Sequence, residues 1–242
     1  MKIISLVPSI TEALFDFGLD DAQIIGRTKF CIHPKEKVKS VPKIGGTKNI
    51  DVSKILELKP DLIIANKEEN DEQQVKELMK YFDVWVTDIT TVEDNISFLN
   101  ELGKRLNKIE IATEFIQKIE EIFSGLNSDK KLKAVYLIWK NPYMTIGGDT
   151  FINDVLKKIG IKNVFEKQMR YPEISLDEMK NADIIFLSSE PYPFKEKHLT
   201  EIEEVTGTKT IRVDGEAFSW YGTQLAKRRE YFKELLNELG KI

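Results

Sequence analysis

The chain has one cysteine, Cys31, and two histidines, His33 and His198. Neither histidine stands in an H-E-x-x-H pattern, and no serine stands in G-x-S-x-G. The glycine pairs in Gly45-Gly46-Thr47 and Gly147-Gly148-Asp149 lack the lysine spacing of a phosphate-binding loop. No motif of catalytic residues supports an enzyme; a metal-dependent enzyme using Cys31, His33 and nearby carboxylates is the weakest of the readings left open. Cys31 and His33 stand two apart and are a candidate metal-ligand pair, but two ligands are far short of a site. The competing reading of Cys31 is a partly buried structural thiol.

The residues that suggest binding are aromatic and lie in loops. Phe30 follows a short apolar run near Ile24. Tyr143 and Met144 stand in W-K-N-P-Y-M-T, Tyr171 precedes Pro172, and Phe218, Trp220 and Tyr221 stand in G-E-A-F-S-W-Y-G. Tyrosine and tryptophan offer a flat apolar surface with a polar tip. That surface suits a broad, partly apolar ligand such as a corrin, a porphyrin or a metal chelate. Trp139 is expected instead to close its own core. Tyr171 and Trp220, flanked by polar or turn residues, are expected to face a ligand.

A third group is acidic. Glu68 and Glu190 each follow an apolar run at the same distance, with Glu69 and Glu72 beside the first and Glu196 and Glu201 beside the second. Charge clusters of this kind are usually solvated surface. They can also receive arginines of a partner in charge-assisted pairs.

The elements that hold these loops are duplicated. I-D-V-S-K-I-L-E-L-K-P-D-L-I-I-A-N-K-E, from Ile50, and I-S-L-D-E-M-K-N-A-D-I-I-F-L-S-S-E, from Ile174, share one order: a short amphipathic helix, an aspartate, an apolar strand and a polar loop. T-E-A-L-F-D-F-G-L, from Thr11, likewise resembles N-D-V-L-K-K-I-G-I, from Asn153. Two units recurring in one order imply two similar lobes, with a small-molecule cleft between them.

Strands are expected at 3–7, 62–65 and 84–87 and again at 135–139, 184–187 and 210–213. Helices are expected at 10–17, 52–58 and 71–81, and at 150–159, 176–181 and 224–239. Ser9 and Asp51 stand where helix N-caps belong, and Gly18 and Pro60 where helices stop. Alternating strands and helices argue for parallel sheets. The fold class is therefore α/β, with two doubly wound lobes at 1–90 and 132–242. The apolar residues between Val92 and Leu126 recur at helical spacing without a proline. They predict one long connecting helix over 91–126, with Leu106-Asn107 as the place for a kink or break. The segment 127–131 reads as a surface linker.

Composition sets the outer limits. The chain has 242 residues, 41% of them hydrophobic, and a formal net charge of -4. That suits a globular protein of one large or two small domains. No basic face for nucleic acid is indicated, and no apolar run is long enough to span a membrane. A single cysteine forbids an internal disulfide and fits a reducing compartment. The opening apolar run reads as a strand with no room for an export signal before it. The location is cytoplasmic if Met1 is the native start. It is periplasmic or lipid-anchored outside the cytoplasm if a signal was removed.

Several segments together resemble the helical-backbone solute-binding proteins of ABC importers, and within them the vitamin B12-binding branch. They are S-L-V-P-S-I-T-E-A-L-F from Ser5, R-T-K-F-C-I-H-P from Arg27, G-G-T-K-N-I-D-V-S-K-I-L-E-L-K-P-D-L-I-I-A from Gly45, N-P-Y-M-T-I-G-G from Asn141 and R-Y-P-E-I-S from Arg170. They span nearly the whole chain in the family's order. The resemblance implies two α/β lobes joined by one long helix, a ligand between them, and no enzymatic activity.

By position in these motifs it implies Phe30, Gly46, Thr47, Met144, Tyr171, Ser219 and Trp220 as ligand-facing. It implies docking on a membrane permease dimer through one acidic residue per lobe, from Glu68 or Glu72 and from Glu190 or Glu196. The receptor would be monomeric and hold no cofactor of its own. Its ligand would be a corrinoid, a haem or a ferric siderophore. Cys31 and His33 stand where the B12 branch has an acidic residue, which keeps these ligand classes open. The alternative is a cytoplasmic protein of the same fold that handles a metal or cofactor and docks no permease.

Overall fold

A computed structural model describes residues 1–126 and 132–240. The expected linker at 127–131 lies outside the described residues. The chain divides into two compact units. The first comprises Met1–Ile89, Glu93–Ile116 and Tyr221–Gln224; the second comprises Thr90–Val92, Gln117–Trp220 and the chain from Leu225 onward.

The first unit is built on β1 (Ile3–Ser5), β2 (Ile24–Arg27), β3 (Leu62–Asn66) and β4 (Val84–Thr87), all parallel, in the order β2-β1-β3-β4. Around them lie α1 (Pro8–Asp16), α2 (Val52–Leu58), α3 (Glu72–Leu78) and α4 (Val92–Arg105). The second unit repeats the plan. Its strands β5 (Lys133–Leu137), β6 (Lys162–Asn163), β7 (Ile184–Ser188) and β8 (Thr210–Val213) are parallel in the order β6-β5-β7-β8.

Every residue of β3 and β7 is buried, as befits central strands of a parallel sheet covered on both faces. Ile4, Ile63 and Leu78 are part of one core, and Val135, Ile185 and Ile202 part of the other.

The repeated aspartate does the same work in both units. Asp61 accepts a hydrogen bond from the Lys2 amide at 2.6 Å, and Asp183 accepts one from the Lys133 amide at 2.7 Å. Each aspartate thus ties the entry of its middle strand to the entry of the neighbouring strand. A charge-assisted bond of this kind fixes register at the sheet's edge.

Helix starts follow local chemistry, with one correction. Asp51 caps α2 through the Lys54 amide and Asp71 caps α3 through the Gln74 amide. Ser9, expected as the cap of the first helix, lies inside it. The N-cap is Val7, and Pro8 takes the first helical position, where its missing N–H costs nothing. In the second unit, α6 (Phe151–Lys158) is capped by Thr150, and α7 (Leu176–Met179) has a capping box of Ser175 and Glu178.

The periodic segment is two helices, not one. After α4 the chain turns at Asn107, whose φ of 55° is left-handed, and α5 (Ile109–Gly125) begins. Gly103 lets the two helices meet, since a Cβ there would lie 2.6 Å from the Ala112 Cβ. The break falls where the sequence allowed one. The boundary between the units falls within α5, at Ile116 and Gln117.

Three further helices complete the second unit: α8 (Glu196–Thr206), α9 (Gly215–Ser219) and α10 (Arg229–Leu239). The helix expected at 224–239 is divided: a 3-10 segment at Gly222–Lys227 precedes α10. Among the described residues, no helix is long and apolar enough to cross a membrane.

Candidate functional site

In open parallel sheets, ligands meet the loops at the carboxyl ends of the strands. In the first unit these loops are stapled by buried polar side chains. Arg27, at the end of β2, donates to the carbonyls of Val38 at 2.9 Å, Cys31 at 2.9 Å and Thr28 at 3.3 Å. This fixes the segment that carries Phe30. Asn70 donates to the carbonyls of Leu6 and Thr47, both at 3.1 Å, and accepts from the Asn66 amide at 2.8 Å. One buried amide therefore joins the exits of β1 and β3 to the glycine loop.

Gly45 opens that loop with a φ of 107°; a Cβ there would lie 2.4 Å from the Asn49 carbonyl. No other residue type fits. Lys48 donates to the carbonyls of Glu68 at 2.5 Å and Asn70 at 3.2 Å.

The result is a surface depression of about 490 Å³ lined by Phe30, Gly46 and Thr47 together with Lys29, Lys43, Lys48 and Asn49. Three residues named from the sequence thus share one concavity. Phe30 is 51% exposed, and the Lys29 ammonium lies 5.0 Å from its ring centroid. The Gly46 amide is taken by the Asn49 carbonyl at 2.7 Å, so it is already satisfied within the loop.

Cys31 lies directly beside this site but faces inward. It is fully buried, and its sulfur lies 3.0 Å from the Thr11 hydroxyl and 3.2 Å from that of Thr28. Burial pushes its thiol pKa up. A thiolate ligand needs the opposite, because metals bind the deprotonated sulfur. Among the described residues no group of three or more histidine, cysteine or acidic side chains is arranged to hold a metal ion. The geometry gives Cys31 a packing role.

In the second unit the loop after β5 doubles back. Met144 donates to the Trp139 carbonyl at 3.2 Å, Thr145 to the Pro172 carbonyl at 3.0 Å and Gly147 to the Arg170 carbonyl at 2.7 Å. Residues 144–148 therefore run antiparallel to residues 168–173. This brings Met144 and Tyr171 onto neighbouring segments, with the Arg170 guanidinium 5.5 Å from the Tyr171 ring centroid. Trp139 is not core, contrary to expectation. It is 41% exposed and meets Tyr192 edge-on at 5.6 Å. Tyr192 stands in the loop after β7 and also meets the Phe194 ring edge-on at 4.7 Å.

Ser219 and Trp220 are joined by Glu190. Its carboxylate accepts from the Ser219 hydroxyl at 2.8 Å and from the Trp220 indole N–H at 3.0 Å. Burial raises the Glu190 pKa, against the pull of the Ser219 hydroxyl. Glu190 is therefore an internal acceptor that orients two candidate ligand residues, not the exposed corner charge expected of a docking residue.

The other acidic candidates do lie outside. Glu72 and Glu196 are the first residues of α3 and α8, the helices that follow the equivalent strands β3 and β7. Their side chains are 81% and 78% exposed and pair with Lys76 at 2.6 Å and Arg212 at 3.1 Å. The Glu72 pKa is lowered by its hydrogen bond to Lys76. Glu68 is partly buried in the loop between β3 and α3. His198 is structural: its Nδ1 accepts the Lys195 amide at 2.9 Å, and burial lowers its pKa.

Two α/β units, each with a parallel sheet of this order, define the class of two-lobed solute-binding proteins. The chain belongs to the periplasmic binding protein family, which matches residues 3–214. It is 26% identical over 195 residues to a vitamin B12-binding protein of Vibrio campbellii, covering 77% of this chain and 70% of that one. It is 32% identical over 189 residues to an uncharacterized ABC transporter substrate-binding lipoprotein, YvrC, of Bacillus subtilis, covering 72% of this chain and 58% of that one. The fold matches the crystal structure of the periplasmic vitamin B12-binding protein BtuF of Vibrio cholerae with a TM-score of 0.82 at 18% identity, over 100% of this chain and 98% of that one.

Proposed function

We propose that this protein captures a corrinoid or a metal chelate and delivers it to the permease of an ABC importer, outside the cytoplasmic membrane and as a monomer. The observation that carries this reading is the shared depression of Phe30, Gly46 and Thr47 at the carboxyl ends of the first unit's strands, in a chain of this family. The relatives named above point the same way.

In this reading Phe30 supplies apolar surface to a broad ligand in the first unit, and Met144 and Tyr171 are the candidates of the second, where Trp220, 9% exposed, offers little surface of its own. Such contact is worth roughly 25 cal/mol per Å² removed from water, less the cost of immobilisation. Glu190 holds Ser219 and Trp220 in place before the ligand arrives, which reduces the ordering left to do on binding. Glu72 and Glu196 are the docking pair, because they are exposed, topologically equivalent and carried on helix starts where a carboxylate is favoured.

Calorimetric titration with cobalamin, cobinamide, haem and ferric siderophores tests the reading. Saturable binding of at least one, weakened by Phe30→Ala and Trp220→Ala, is expected. Absence of binding by all of them would refute it.

A further inference from the structure

The depression around Phe30 has a rim of one charge. Lys29, Lys43 and Lys48 line it, and no acidic side chain does. Lys48 is held in place by the carbonyls of Glu68 and Asn70. Lys29 stands over the exposed Phe30 ring. The chain as a whole is acidic, with a formal net charge of -4, so this local excess runs against the composition. A concavity lined by several cations and one exposed ring concentrates anions by focusing the field of several charges on one space.

Resting on the binding reading above, we infer that the ligand is anionic. It presents an apolar face to Phe30 and peripheral carboxylate or catecholate oxygens to Lys29, Lys43 and Lys48. This selects among the broad ligands. Haem, through its propionates, and ferric tricatecholates carry such charge at the periphery. The corrin rim of cobalamin carries neutral amides, and ferric trihydroxamates carry no net negative charge. Ammonium groups recognise the charge itself rather than one fixed oxygen geometry. Haem and tricatecholate therefore share the chemistry, and the test separates them.

The test is a set of matched titrations on the whole chain: haem against haem dimethyl ester, a ferric tricatecholate against a ferric trihydroxamate, and cobalamin alone. The anionic member of at least one pair is expected to bind more tightly by on the order of tenfold, about 1.4 kcal/mol. That advantage should shrink as salt is raised, because exposed charges are screened. Lys29→Gln and Lys43→Gln, both at exposed positions that leave the fold intact, should each weaken the anionic probe by roughly twofold to fivefold and leave its neutral counterpart unchanged. Which pair shows the effect identifies the anion. Equal or tighter binding of the neutral probes, or indifference to both lysine variants, would overturn the inference while leaving the receptor reading intact. Failure of every probe to bind would overturn both.

Discussion

Asn70 and Glu190 show how single polar side chains order the loops of each unit. Asn70 satisfies two carbonyls and one amide, those of Leu6, Thr47 and Asn66. Asn70→Ala should cost about 2 kcal/mol, since buried groups lose their partners. A thermal melt should show a loss of several degrees.

Glu190 sets a pH dependence of opposite sign to the usual carboxylate. Its pKa is raised in the fold above an ordinary value of 4.5. The folded state therefore holds the proton more tightly than the unfolded chain, and stability declines as pH rises from about 4.5 through the folded pKa. Glu190→Gln can still accept from Ser219 and Trp220 and removes this dependence. Denaturant midpoints of the variant and the parent protein, measured from pH 4 to 8, should diverge upward in favour of the variant. A parent protein that gains stability relative to the variant over that range would contradict the assignment. None of this was legible in the sequence, where Glu190 read as surface charge. Sequence spacing places a residue at a corner without saying which way its side chain turns.

At the scale of elements, the sequence was most legible where one rule governs the outcome. The strands of the middle of each sheet are short apolar runs bounded by aspartate and polar loops, and they stand within a residue or two of expectation. The helix break at Asn107 was less clear. Apolar periodicity reports which face is buried, not whether the axis continues, and the corner depends on Gly103 meeting Ala112. Gly103→Ala should therefore strain the corner by about 1–3 kcal/mol. A urea midpoint lowered without a change in slope would show it. The helix at Glu196–Thr206 escaped notice because its apolar residues are sparse: His198, Ile202 and Thr206 make up its buried set. Trp139 was misjudged because a tryptophan after a strand is usually core, whereas here the chain turns it outward beside Tyr192.

At the scale of the molecule, the duplication was the most reliable signal. It correctly implied two sheets of one topology, and its paired aspartates make equivalent bonds in the two units. It also underlies the proposal of Glu72 and Glu196 as the docking pair. Glu72→Arg and Glu196→Arg should leave ligand affinity unchanged and abolish stimulation of a reconstituted cognate permease–ATPase. A loss of affinity instead would place these residues in the ligand site.

Phe30, Gly46 and Thr47 were named by their positions in two separate motifs, and the fold brings them to one depression. The lysine rim was not legible, since Lys29 and Lys48, although they stand inside those motifs, read as ordinary surface charge. The central claim is solute capture. Its most direct test is calorimetric titration of the intact protein with haem, a ferric tricatecholate, a ferric trihydroxamate, cobinamide and cobalamin. One-to-one saturable binding of at least one, weakened by Phe30→Ala, is the result expected. No heat of binding and no thermal shift with any of them would contradict it.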